Sequence, residues 1–227
     1  MSLFTQPLTM FLSKLTLNFR CRDARRDMNA PYELHRTLAR AFTTEDGSDY
    51  RSQHSVLFRI EPLSHASVQP AVLVQSGTEP NWHELPETYL IKKPDLKVFA
   101  PDLTDGQTFG FRLLANPTKK EKRPDQRQGR RIALPDFTNG DGLTPARAWL
   151  ARKGEQCGFR VLYTSSEDFW LGTDRRNLGK NAIPIYGVRF DGLLQVTNAN
   201  ALGNVLKIGL GPSKAFGFGL LSLVRPH

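Results

Sequence analysis

Hydrophobic and polar positions in the first half of the chain follow short, well-separated patterns. Strict alternation and β-branched runs indicate strands, whereas a three-to-four-residue repeat indicates an amphipathic helix. Five such segments occur in the order strand, helix, strand, strand, strand: residues 11–19, 32–42, 56–60, 71–75 and 109–114. Pro31 suits the first position of the helix. The charged segment 20–29 before it is predicted to form a turn.

The second half repeats this mixture of helices and short strands. Thr144 and Pro145 open a predicted helix that runs to about Gln156, and Asn198 or Asn200 caps another that ends near Lys207. Predicted strands occupy residues 159–163, 169–173, 183–190, 193–196 and 220–224. The βαβ-like alternation in both halves predicts an α+β fold made of two tandem ferredoxin-like (RRM-like) domains.

A basic segment separates the two predicted domains. Residues 117–131 contain no apolar residue except prolines, and they hold seven basic residues against two acidic ones. This composition is typical of a solvated loop or a linker. We therefore predict an N-terminal domain at 10–117, a basic loop or linker at 118–131 and a C-terminal domain at 132–227. The first nine residues are expected to lie outside the fold.

The charge of the chain indicates a polyanionic partner. Its 227 residues carry a net charge of +9, which favours nucleic acid or an anionic membrane. A basic surface that only aids solubility is the alternative. No apolar run approaches the length that spans a bilayer, so no membrane partner is expected. Cys21 and Cys157 are far apart and predict neither a disulfide framework nor a zinc site, and we expect a cytoplasmic protein.

Common cofactor and metal motifs are missing from the sequence. It has no phosphate-binding loop of the G-x-x-x-x-G-K-[ST] type, no H-E-x-x-H and no G-x-S-x-G. The histidines are not spaced as paired ligands on one helix face. If the protein is an enzyme, we expect it to work without a metal or a cofactor.

His35 is the candidate for chemistry. At about 100° per residue it lies just outside the predicted core stripe, with Tyr32 one turn before it and the cations Arg36 and Arg40 nearby. The core stripe consists of Leu34, Leu38, Ala41 and Phe42. RNA supplies its own nucleophile, the 2′-hydroxyl, so a histidine, a tyrosine and a cation would suffice to cut it. The alternative is a helix-edge histidine bonded to a carbonyl, with Tyr32 as a boundary aromatic.

Several basic clusters and a glycine-rich segment are candidate RNA contacts. Each cluster alone could be a solvated surface, but together they suggest a footprint on phosphates. The candidate RNA-binding residues are Arg25, Arg26, Arg36, Lys119, Lys120, Arg130, Arg131, Arg175, Arg176, Lys180 and Lys214. The glycines of the segment 209–219 would let the backbone approach a ligand closely, or else form only a tight connection. They are Gly209, Gly211, Gly217 and Gly219.

Four segments carry a resemblance to a known family. They are Leu-Ser-Lys-Leu at 12–15, Ala-Arg-Arg-Asp at 24–27 leading to Pro-Tyr-Glu-Leu-His-Arg at 31–36, Phe-Arg-Leu-Leu-Ala-Asn-Pro at 111–117, and the glycine-rich Gly-Leu-Gly-Pro-Ser-Lys-Ala-Phe-Gly-Phe-Gly-Leu-Leu-Ser at 209–222. In this order they resemble the CasE-type CRISPR endoribonucleases, the repeat-cutting subunits of type I-E Cascade.

The resemblance implies tandem ferredoxin-like domains and a metal-independent cut of a repeat RNA hairpin. That cut leaves a 5′-hydroxyl and a cyclic or 3′-phosphate end, with His35 and Tyr32 as the catalytic pair. Arg40 falls where some relatives carry an active-site lysine, a substitution that keeps the charge but not the geometry. In relatives a basic hairpin in the second domain grips the RNA stem, which looks like Arg175, Arg176 and Lys180 here.

The resemblance also implies that the product stays bound and is handed to other Cascade subunits. Two rival hypotheses remain. The first is a non-cleaving RNA-binding scaffold of the same fold, in which Tyr32 and His35 would only pack or stack. The second is a DNA-binding or ribosome-associated basic protein.

Overall fold

The protein forms two compact units, each built around its own antiparallel sheet. The computed structural model describes residues 8–43, 50–62, 69–121, 130–137, 142–171 and 185–225. The first unit comprises Met1–Leu103 with Ala215–Gly217, and the second comprises Thr104–Lys214 with Phe218–His227.

The first unit has the ferredoxin-like strand order. Its elements are β1 (Met10–Thr16), α1 (Arg22–Asn29), α2 (Pro31–Ala39), α3 (Tyr50–His54), β2 (Leu57–Glu61), β3 (Ala71–Ser76) and β4 (Asp95–Phe99). The strands lie in the order β2-β3-β1-β4, and every described pairing is antiparallel. A single 3-10 turn, Trp82–Glu84, stands between β3 and β4, where the motif usually has its second helix.

Packing, rather than capping, holds α2 in place. Ala30, at its N-cap, makes no side-chain capping bond, whereas Pro31 fits the first turn. Leu34 and Leu38 are completely buried against the core, which stabilises the fold by about 1.5–3 kcal/mol for each side chain. The predicted core stripe is confirmed, since Ala41 and Phe42 are also buried.

The second unit repeats the same strand order. Its elements are β5 (Thr108–Ala115), β6 (Thr118–Glu121), β7 (Arg130–Ala133), α4 (Pro145–Gln156), β8 (Phe159–Leu171), β9 (Ile185–Val196), α5 (Ala199–Ile208) and β10 (Leu221–Val224). The main sheet has the order β10-β5-β9-β8. Thr144 caps α4 by accepting a hydrogen bond from the Arg147 amide, as predicted, and Asn198 caps α5 in the same way. The predicted tandem ferredoxin-like fold is therefore confirmed.

Two local predictions were wrong, and one strand was not predicted. Most of the segment 20–29 forms helix α1 (Arg22–Asn29) instead of a turn, because Ala24 and Asp27 give this charged segment one buried face. Residues 159–171 form one long strand, β8, where two short strands were predicted. Residues 185–196 likewise form one long strand, β9, instead of two. Polar and charged residues interrupt the apolar runs without breaking the ladder. Strand β4 escaped prediction because it is an edge strand whose side chains are mostly exposed.

The domain boundary also differs from the one predicted. β5 pairs with β9 and β10 of the second sheet, so the second unit begins at Thr104 and not after residue 117. The predicted linker 118–131 contributes β6 and β7, which pair with each other over four residues each. Four of its basic residues, Lys119, Lys120, Arg130 and Arg131, therefore lie on paired strands of the second unit.

Candidate active site

Helix α2 presents Tyr32 and His35 at the edge of its buried face, as predicted. Tyr32 is 53% exposed, and His35 is half-buried. Their ring centroids lie 5.9 Å apart, as expected for residues three positions apart on one helix. The imidazole is thus partly shielded from water without being sealed in the core.

A second tyrosine, Tyr50 of α3, holds the His35 ring. Its hydroxyl donates to the carbonyl oxygen of His35 at 2.8 Å and lies 2.5 Å from Nδ1 of the same residue. The two rings stack with centroids 4.9 Å apart. Tyr50 was not predicted from the sequence, because nothing in the pattern of α3 indicates contact with a residue fifteen positions earlier.

An aromatic cluster fixes Tyr50. Phe42 stacks on it at 5.8 Å between centroids and also contacts His54 and Trp82. Both ring nitrogens of His54 have partners, the Thr78 hydroxyl at 2.8 Å and the Thr43 carbonyl at 2.7 Å. We therefore assign His54 a structural role in the cluster.

The glycine-rich segment reaches Tyr32 from the other end of the chain. The ring of Phe216, in the 3-10 turn Lys214–Phe216, lies 6.0 Å from the Tyr32 ring. Next to it, Gly217 has a φ of +85°, and a Cβ there would stand 3.0 Å from the Phe58 ring. Part of the segment therefore supports the candidate tyrosine, a role that the sequence analysis did not foresee.

Two arginines extend the exposed edge of α2. Tyr32, Arg36 and Arg40 are four residues apart and all exposed, so they form one stripe beside His35. Arg36 lies 3.4 Å from a Glu33 carboxylate oxygen in an exposed pair of the kind that contributes little. The stripe places positive charge next to the two candidate proton-transfer groups.

Arg25 and Arg26 have structural partners. Arg25 donates to the carbonyls of Phe19 and Arg20, which ties the chain before α1 to the helix. Arg26 pairs with Asp23 and with the buried carboxylate of Asp27. The hydrogen bond to Asp27 raises the pKa of the Arg26 guanidinium. Contact of Arg25 and Arg26 with RNA stays a prediction. The two carboxylates largely offset the charge of Arg26.

The paired strands β6 and β7 carry exposed positive charge. Lys119, Lys120, Arg130 and Arg131 are all exposed. Lys120 lies directly opposite Arg131 in the ladder. Like charges in such a pair are destabilising in isolation. An anionic partner would remove that penalty, so this surface is a candidate phosphate contact.

The remaining predicted contacts divide into two groups. Arg175, Arg176 and Lys180 lie outside the described residues. Lys214 is half-buried, and Gly209, Gly211, Gly217 and Gly219 all have positive φ. The amides of Gly209 and Gly219 donate to the carbonyls of Val205 and Leu114. These two amides are hydrogen-bonded within the fold and are therefore not offered to a phosphate.

Two further observations concern the described part of the chain. It contains no group of three or more His, Cys, Asp or Glu side chains arranged to hold a metal ion. None of the helices within it has both the length and the hydropathy that crossing a bilayer requires.

On a tandem ferredoxin-like scaffold, the edge of α2 carries a half-buried histidine, a neighbouring tyrosine and two exposed arginines. These are the groups that acid–base chemistry on a polyanion requires. The family model described as "CRISPR associated protein" matches residues 10–225. The chain belongs to the Cse3/CasE family of CRISPR endoribonucleases.

Three similar proteins illustrate the relationship. The "CRISPR-associated endoribonuclease Cse3" of Thermus thermophilus is 39% identical, over 94% of this chain and 99% of its own length. The "CRISPR system Cascade subunit CasE" of Escherichia coli K12 is 29% identical, over 94% of this chain and 98% of its own. A solved structure of Cse3 bound to a 19-nucleotide RNA superposes with a TM-score of 0.79 at 36% identity, covering 96% of this chain and all of that one.

Proposed function

We propose that the protein is a metal-independent endoribonuclease that cuts CRISPR repeat RNA at its hairpin and remains bound to the product as a Cascade subunit in the cytoplasm. The observation that carries the proposal is the half-buried His35 beside Tyr32, with Arg36 and Arg40 along the same helix edge. The names of the relatives, an endoribonuclease and a Cascade subunit, support the same conclusion.

The reaction needs only groups that this site contains. The 2′-oxygen of the RNA attacks the adjacent phosphorus while its proton passes to a base, and the bond from phosphorus to the 5′-oxygen breaks. The leaving oxygen takes a proton from an acid, which gives a cyclic phosphate and a 5′-hydroxyl. His35 and Tyr32 are the two groups that move these protons, and the protons balance with either one as the base.

The arginines of α2 stabilise the negative charge that develops on the phosphorane. A guanidinium presents donors in a planar fork that matches phosphate oxygens.

Binding of the hairpin relies on the second unit in this proposal. Lys119, Lys120, Arg130 and Arg131 contact phosphates, and Arg175, Arg176 and Lys180 grip the stem. Lys214, together with Arg25 and Arg26, adds to this footprint. Contacts of this kind survive cleavage, because the product hairpin keeps its phosphates, so slow product release follows from the same charges.

The test is cleavage of the cognate repeat RNA with excess EDTA present. We expect a single cut whose products carry a cyclic phosphate and a 5′-hydroxyl, identified by mass spectrometry. A matched substrate with a 2′-deoxy sugar at the cut position should bind equally well and stay intact. Loss of cleavage on chelation that magnesium restores would refute metal independence.

The rival functions give different results in the same experiment. A non-cleaving scaffold would bind the repeat hairpin and leave it intact on a denaturing gel. From a general DNA-binding or ribosome-associated protein, a duplex DNA competitor would displace the hairpin as well as repeat RNA does.

A further inference from the structure

The Tyr50 hydroxyl has one proton, and it contacts two polar atoms of His35. One is the carbonyl oxygen of His35 at 2.8 Å, and the other is ring nitrogen Nδ1 at 2.5 Å. A carbonyl oxygen can only accept, so the hydroxyl proton points to it. The contact to Nδ1 is then favourable only when Nδ1 carries a proton and donates it to the hydroxyl oxygen.

We infer that Tyr50 is a positioning residue that holds His35 in the tautomer protonated on Nδ1, so that Nε2 is the nitrogen that exchanges a proton with RNA. The inference rests on the proposed function. A neutral ring of this tautomer carries its lone pair on Nε2, which can take the proton of the 2′-hydroxyl. A cationic ring can instead give the Nε2 proton to the 5′-oxygen. Nδ1–H stays bonded to Tyr50 in both cases.

The surroundings of Tyr50 give this hydroxyl a fixed direction. Tyr50 is only 7% exposed, and its ring stacks on both the Phe42 ring and the His35 imidazole. Its acceptor is a main-chain carbonyl of α2, which can accept a hydrogen bond but cannot donate one. This arrangement resembles the outer partners that fix the tautomer of other functional histidines, in which the second nitrogen is held so that the first can react.

The first measurement is the tautomer of His35 in the whole protein, by nitrogen NMR of histidine-labelled samples. The chain has five histidines, so the His35 signals are identified by their loss in His35→Ala. Above the pH at which the ring becomes neutral, we expect Nδ1 to give the signal of a protonated nitrogen and Nε2 that of an unprotonated one. A neutral ring protonated on Nε2 would overturn the inference.

The second measurement is Tyr50→Phe, which removes the hydroxyl and keeps the stacked ring. We expect the His35 proton to redistribute toward Nε2 and the single-turnover cleavage rate to fall roughly 10- to 100-fold. Affinity for the 2′-deoxy hairpin should stay within about twofold, because Tyr50 has no predicted phosphate contact. An unchanged rate or an unchanged tautomer would contradict the assignment.

Tyr89→Phe is the matched control. Tyr89 is fully buried in the same unit, and its hydroxyl donates to Asp27 instead. Burial and the bond to Asp27 both raise the pKa of this hydroxyl. Its removal should lower stability without moving the His35 tautomer or the cleavage rate of the folded protein. If wild-type protein does not cut the repeat at all, the proposed function fails, while the tautomer measurement still decides the role of Tyr50.

Discussion

The two units share a strand order but differ in what their first long helix carries. In the first unit, α2 has Tyr32 and His35 at its exposed edge. In the second, α4 follows β5 in the same position of the motif, buries Trp149 and Leu150, and contains neither histidine nor tyrosine. The shared topology supplies a helix packed on a sheet, and the residues on its rim decide whether that helix can move protons.

The units also differ in how they manage positive charge. Arg25 and Arg26 of the first unit are bonded to carbonyls and carboxylates of their own surroundings. In the second unit, Lys120 faces Arg131 across a ladder, a pairing that a fold alone would not favour. This contrast is the basis of our proposal that the first unit performs the chemistry and the second holds the polyanion.

The assignment of chemistry to the first unit depends most on His35. We expect His35→Ala to lower the single-turnover cleavage rate by about 10²- to 10⁴-fold, the range that loss of a general acid or base produces. Hairpin affinity, measured by filter binding, should be nearly unchanged. His83→Ala is the control, since His83 is an exposed histidine of the same unit. Equal rates for the two variants would remove His35 from the reaction.

Tyr32→Phe tests whether the reaction requires the hydroxyl of Tyr32 or only its ring. The variant keeps the ring that contacts Phe216 and His35 but cannot move a proton. We expect the cleavage rate to fall by roughly 10- to 100-fold, as for a proton-transfer group with a partner still in place. Unchanged cleavage would show that Tyr32 acts only by packing, as the scaffold hypothesis holds.

A substitution in the glycine-rich segment tests how strictly the second unit requires its backbone geometry. Gly219 has a φ of +90°, and a Cβ there would stand 2.8 Å from the Leu210 carbonyl oxygen. Gly219→Ala should lower the free energy of unfolding by about 1–3 kcal/mol, measured by denaturant titration. Gly106 has nearly the same φ, +88°, with nothing within 4 Å of its Cβ position. Gly106→Ala therefore isolates backbone strain, and an equal loss in both variants would exclude steric crowding at Gly219.

Lys120→Ala probes the holding role of the second unit. Removing one of two facing cations should change stability by no more than about 0.5 kcal/mol. Hairpin affinity should fall, and the slope of log affinity against log salt should lessen by about one unit. Lys92, which is paired with Asp95, provides the control. A salt slope that Lys92→Ala alters as much as Lys120→Ala would contradict a specific footprint on β6 and β7.

Much of the fold could be predicted from local patterns, and the misses have identifiable causes. Helices α2, α4 and α5 followed from periodicity and capping residues, because both signals lie within a few turns of chain. The boundary at residue 117 was misplaced, since β5 follows the first unit in sequence but pairs with strands of the second. Pairing partners of a strand are not encoded in its own alternation.

The sequence by itself determined that Tyr32 and His35 share one edge of α2, with Arg36 and Arg40 beside them. Helical geometry makes residues three and four apart neighbours wherever the helix packs. Only the tertiary structure decided that Tyr50 bonds Nδ1 of His35, that Phe216 supports Tyr32, and that β5 joins the second sheet. These contacts join segments far apart in the chain, and no local pattern specifies which of the possible partners meet, because that choice depends on how the whole core packs.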